Sequence, residues 1–203
     1  ERLAACEYGG DKGIFGFGYV SSPSGSSSLT NKVSNAGVVA TDTTGVGTAR
    51  HGLAACGYGG TKGIFAFAGY TNLVSNVGVV ATDVTQVGTA RGELAACEYG
   101  GDKGIFGYGG SYLSMTNLVS NAGVVGTDVT GVGTARAYLG ACGYGEDKGI
   151  FGYGNDASAS VTAVSNLVTN AGVVGTDVTG VGTARNKIAA CEYGGDKGIF
   201  GFG

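Results

Sequence analysis

The chain has no tryptophan, one proline, one histidine and one methionine among its 203 residues, and only 13 % of them are charged. Each shortage excludes something. One proline and no glycine triplet exclude collagen. The lone histidine, His51, stands where the equivalent segments carry Gly92, Ala137 and Asn186. It therefore reads as a surface turn residue, and one histidine cannot run a repeated Ser/His/Asp or Cys/His centre. Low charge beside 43 % hydrophobic residues excludes a disordered tail. A net charge of −3 and a pI of about 5.0 leave no basic footprint for nucleic acid. The longest uncharged stretches, Gly13–Asn31 and Ala157–Thr176, are broken throughout by Ser, Thr, Asn and Gly, so no membrane insertion is expected. The chain opens on Glu1 with no signal-peptide pattern, which reads as a processed or partial piece.

What is abundant is glycine, 43 residues, about three times ordinary usage, and repetition. Cys6, Cys56, Cys97, Cys142 and Cys191 recur at spacings of 50, 41, 45 and 49. Each lies 11 residues before the second aromatic of an I-F-x-[FY] run (Phe17, Phe67, Tyr108, Tyr153, Phe202). Each Asp of a T-D-x-T motif (Asp42, Asp83, Asp128, Asp177) lies 14 residues before the next cysteine. All length variation falls between aromatic and aspartate, at 25, 16, 20 and 24 residues. The chain is thus one domain, 1–203, of units 1–50, 51–91, 92–136 and 137–185 with a partial unit 186–203.

The frame reads as all-β. K-G-I-F-G-F-G alternates, which places Phe15 and Phe17 on one face. L-A-A-C-E-Y is a short apolar strand, and Y-G-G-D-K-G between the two is a hairpin loop. N-x-V-S-N-A-G-V-V and G-V-G-T-A-R supply two further segments. Glycine every few residues disfavours helix by about 1 kcal/mol each against alanine. Four short strands per period of about 45 residues is the pattern of propeller blades.

Thr48–Tyr70, T-A-R-H-G-L-A-A-C-G-Y-G-G-T-K-G-I-F-A-F-A-G-Y, resembles a kelch repeat, and Asn72–Asp83 resembles its third strand and following turn. The usual fourth-strand tryptophan is absent, with Val46, Val87, Val132 and Val181 near its place, and G-F-G or G-Y-G replaces the glycine doublet. The near-identical copies also resemble glycine-rich repeats of marine phages and environmental bacteria. Both likenesses imply a binding or structural β-propeller of four-stranded antiparallel blades. Four complete units and a half unit fit a five-bladed ring with one two-stranded blade, a piece of a longer array, or a blade completed by strands of a neighbouring chain; the ring is expected, because closure removes exposed ends.

The aromatic pairs are expected between blades. Arg50, Arg91, Arg136 and Arg185, eight residues after Asp42, Asp83, Asp128 and Asp177, are expected to form one structural Asp–Arg pair per blade. Five widely spaced cysteines match no zinc pattern and read as reduced, buried small residues. Y-G-G-D-K-G lacks phosphate-loop spacing, and Asp11, Asp102, Asp147 and Asp196 read as turn carboxylates, Thr61 replacing one. No catalytic residue, metal or cofactor is expected. The binding candidates lie in the variable loops, at Tyr19, Tyr70, Tyr112, Asn155 and Asp156. The function expected is a non-enzymatic structural or adhesion module, extracellular or virion-associated. Its partners would be proteins or copies of itself, or alternatively a cell-surface glycan held weakly once per blade.

Overall fold

The structure, a computed structural model, describes residues 2–203, and among them all regular structure is β-strand. Each unit begins with the expected hairpin. Ala4–Tyr8 pairs with Lys12–Gly16 in a register that sets Cys6 opposite Ile14. The turn between them is possible because Gly9 and Gly10 take φ of 67° and 80°, a left-handed region that disfavours side chains. The equivalent hairpins are Ala54–Tyr58 with Lys62–Phe67, Ala95–Tyr99 with Lys103–Gly107, Gly140–Tyr144 with Lys148–Gly152, and Ala189–Tyr193 with Lys197–Gly201. In the four complete units a third strand pairs antiparallel with the second: Thr30–Val33, Tyr70–Val74, Thr116–Val119 and Ser165–Val168.

The fourth segment departs from expectation. Among the described residues only the second unit has a four-stranded sheet, and what completes it is not the expected segment 86–91 but Val84–Thr85 of the T-D-x-T motif. In the other complete units the same segment makes isolated bridges, such as Thr30↔Thr43, Thr116↔Val129 and Ser165↔Val178. The last unit is the two-stranded hairpin that the sequence shows. The T-D-x-T stretch is fastened mainly by its aspartate side chain, as described below, and the glycine-rich G-V-G-T-A-R segment bridges its own unit only at its arginine, as at Arg50, Arg136 and Arg185.

Consecutive units stack. Phe17 meets Phe65 with ring centroids 5.3 Å apart, Phe67 meets Phe106 at 5.0 Å, Tyr108 meets Phe151 at 5.2 Å and Tyr153 meets Phe200 at 5.5 Å. The aromatics do lie between units, but the two of one strand do not share a face. Phe65 packs on the preceding unit and Phe67 on the following one. A backbone reversal causes this: Phe17, Phe67, Tyr108 and Tyr153 have φ of 60–80°, which breaks the two-residue alternation and re-aims the second ring. Glycine permits the close approach. A β-carbon at Gly63, Gly104, Gly149 or Gly198 would sit 2.5–2.6 Å from the cysteine sulfur of the preceding unit.

Backbone hydrogen bonds stitch the units at both ends of the first strands. On one side Gly52 N–H donates to Arg2 O, Glu93 to Gly52, Tyr138 to Glu93 and Lys187 to Tyr138, at 2.7–3.3 Å. On the other, Gly9 donates to Thr61 O, Gly59 to Asp102, Gly100 to Asp147 and Gly145 to Asp196. The five first strands stand around a common cleft, to which all five units contribute lining residues. The terminal faces lack such neighbours: Phe15 is 40 % exposed and Phe202 88 %, whereas Phe65, Phe67 and Phe106 are fully buried.

Candidate functional site

The chemistry of the repeat is concentrated at the seams. Arg50 belongs by its backbone to the first unit, bridging Ser27 and accepting from Gly18 N–H. Its guanidinium lies 4.1 Å from the Phe17 ring centroid and donates across the seam to Asn72 Oδ1. Asp83 of the second unit accepts from Thr48 N–H at 2.8 Å, Thr48 Oγ1 at 2.7 Å and Asn72 Nδ2 at 2.9 Å, with Arg50 3.6 Å away. Arg91, Asn117, Asp128 and Thr89 repeat this, with an Arg–Asp distance of 3.8 Å. Arg136, Asn166, Asp177 and Thr134 repeat it again. The expected structural pairing therefore exists but is shifted by one unit. Arg50 pairs with Asp83 instead of Asp42, and Arg91 with Asp128 instead of Asp83. The arginine closes its own repeat in sequence but reaches forward in space, because its side chain must cross the aromatic of its own unit to find partners.

These contacts set the charges. Burial pushes the Asp83 carboxyl up, but hydrogen bonds from Asn72 and Thr48, with the Arg50 charge, outweigh it and hold the group below the ordinary carboxylate range; Asp128 and Asp177 behave alike. Burial lowers the Arg91 guanidinium to about 10, against the pull of Asp128. At the chain's ends the seam is half made. Asp42 accepts from Asn31 alone of the four kinds of partner, and Arg185 donates to Phe202 O with no Asn or Asp across from it among the described residues.

The loop candidates are dispersed. Tyr19 packs edge-on against His51 at 5.4 Å, and His51 Nδ1 is 3.0 Å from Ser26 Oγ. Tyr70 begins a third strand, and Tyr112 sits at a φ of 58°. Asn155 Oδ1 accepts from Asn186 Nδ2, while Asp156 caps its own turn through Ser158 and Ser160 N–H. Each loop leaves the frame at the same place, where Gly18, Ala68, Gly109 and Gly154 donate to Arg50, Arg91, Arg136 and Arg185. Asp11, Asp102 and Asp147 hold Asn35, Asn121 and Asn170 of their own units, and among the described residues no group of three or more metal-ligating side chains forms.

Sequence reasoning missed the cleft that the five first strands line. Its cysteines are free thiols; Cys56, Cys97 and Cys142 are buried, Cys6 is half-buried, and Cys191, with no unit packed over it among the described residues, is exposed. Burial pushes the Cys142 thiol to about 11 and holds Cys56 well above its ordinary value. Beside them Glu7, Gly57, Glu98, Gly143 and Glu192 alternate around the cleft. Glu98 lies over Gly57, where a β-carbon would be 1.7 Å from Oε1, and Glu192 lies over Gly143. Burial, then repulsion from Glu7 and Glu192, lifts the Glu98 carboxyl to about 7.

The mouth of the cleft, about 540 Å³, was missed as well. Arg2, Gly52, Glu93, Tyr138 and Lys187 occupy one equivalent position around it. The signal was present in the sequence: this position differs in every copy while the frame beside it hardly changes. Among known proteins, no family model matches the chain and no curated protein resembles it.

Proposed function

We propose that the chain is a non-enzymatic structural or adhesion module of kelch-like β-propeller type, built to associate with copies of itself or other proteins outside the cell or on a virion. The observation that carries this is the seam network with its two open halves. At the inner seams Arg, Asn, Asp and Thr satisfy one another across neighbouring units. At the ends Phe15, Asn31 and Asp42 present one half, and Arg185 with the unpaired edge of Lys197–Gly201 presents the other. Such an edge is a template for strand addition. The segments Leu3–Gly18 and Ile188–Gly203 differ only at their first residue, so the first unit of one copy fits the slot held by the last hairpin of another. Light scattering tests the reading. A mass that rises with concentration above 19.9 kDa supports it, and a monomer at high concentration rejects it.

The common exit point of the four variable loops favours a second reading, a weak glycan site in each complete unit strengthened by avidity. Failure to retain any glycan on an array would reject that reading.

A further inference from the structure

The mouth of the axial cleft combines three properties found together nowhere else in the frame. Its five equivalent positions converge on one cavity of about 540 Å³. All five are left-handed, with φ of 57° at Arg2, 71° at Gly52, 53° at Glu93, 59° at Tyr138 and 51° at Lys187. Left-handed backbone disfavours side chains, and Gly52 shows that glycine satisfies the turn there. Four of the five copies nevertheless carry a large functional side chain. Strain retained where the fold does not require it points to function.

The chemistry of these side chains defines a ligand. Arg2 Nη1 pairs with Glu93 Oε1 at 3.1 Å, which neutralises both. Lys187 lies over the Tyr138 ring, its ammonium 5.7 Å from the centroid, leaving one positive charge uncompensated among the described residues. Below them the next residue of every unit is Leu or Ile, which forms an apolar floor. We propose that this cleft binds a small anion with an apolar, planar body, an aromatic carboxylate. Its carboxylate takes the Lys187 ammonium and its ring lies beside Tyr138 against the leucine floor. The site goes beyond the assembly reading and stands whether the protein is monomeric or not, since scattering decides that reading separately.

Indole-3-acetate is a suitable probe, because the protein has no tryptophan and indole emission reports the ligand alone. Titration is expected to saturate with a Kd on the order of 1 mM or tighter, as for a small ligand in an open site. Tryptamine, the same ring with a cation, should bind at least about tenfold more weakly. Lys187→Gly should weaken indole-3-acetate about tenfold or more while raising the melting temperature, since glycine relieves the left-handed backbone; a purely structural lysine would not separate these readouts. Glu93→Gln, which frees Arg2, should tighten binding, and Lys148→Glu, at the far end of the fourth unit's hairpin, should leave it unchanged. Equal binding of indole-3-acetate and tryptamine would overturn the proposal. Unchanged affinity in both Lys187→Gly and Glu93→Gln, or preferential binding of galacturonate, an anion without an apolar ring, would overturn it too.

Discussion

The second and third units and the last hairpin carry almost the same frame and live in different surroundings. Ile105 is fully buried and Ile199 is 52 % exposed; Tyr99 is 4 % exposed and Tyr193 52 %. Their strands have the same register, Cys97 opposite Ile105 and Cys191 opposite Ile199. Local sequence therefore forms each hairpin, but the neighbouring unit buries it. Stability in such an array is a sum of weak units and strong interfaces, so identical substitutions should differ in cost according to position.

The largest difference is expected for the aromatics. Phe106→Ala should cost about 3–5 kcal/mol, the usual range for deleting a core ring, while Phe202→Ala should cost about 0.5 kcal/mol or less, as on a surface. Denaturant melts of both variants measure this, and equal losses would break the comparison. Next come the seams. Asn117 is fully buried between Arg91 and Asp128, so Asn117→Ala should cost about 2–3 kcal/mol by leaving a buried guanidinium under-bonded. Asn31, which has no arginine to serve, should cost only about 0.5 kcal/mol in the same assay.

A smaller effect is expected with pH. The Glu98 carboxyl is raised from 4.5 to about 7 in the fold, so the folded state prefers it protonated. Its favourable contribution is complete below about pH 4.5 and is lost as pH rises through 7. Stability should fall across that window in the wild type and stay level in Glu98→Gln. Glu192→Gln, at the open end, should flatten the curve less. A wild-type curve that rises from pH 4.5 to 7 would contradict the crowding of carboxylates in the cleft.

The repeat, the hairpins and the aromatic contacts between units were legible in the sequence because each depends on local spacing. The placement of Phe15 and Phe17 on different faces was not, since a φ of 60° at Phe17 has no signature in a residue that normally avoids it. The Arg–Asp register was not legible either. Eight residues separate Arg50 from Asp42 in every copy, and nothing in a tandem array distinguishes that aspartate from Asp83 one unit on. The four-stranded unit was read from segment count, but the fourth segment is held through Asp83, Asp128 and Asp177 across the seam. The cleft mouth has a signal in the sequence, since Arg2, Glu93, Tyr138 and Lys187 are unlike residues in like places, but their convergence on one cavity depends on how the units stack.

The central claim, that one frame sequence is protected only where a following unit covers it, is tested most directly by thiol reactivity. The five cysteines occupy equivalent strands and differ only in what lies beyond them. Alkylation of the native protein, read cysteine by cysteine from its peptides, should modify Cys191 fast and spare Cys6, whose sulfur the second unit covers at Gly63. Cys56, Cys97 and Cys142 should react only on unfolding. Five equal rates, or a Cys191 as protected as Cys97 in the dilute monomer, would contradict the account.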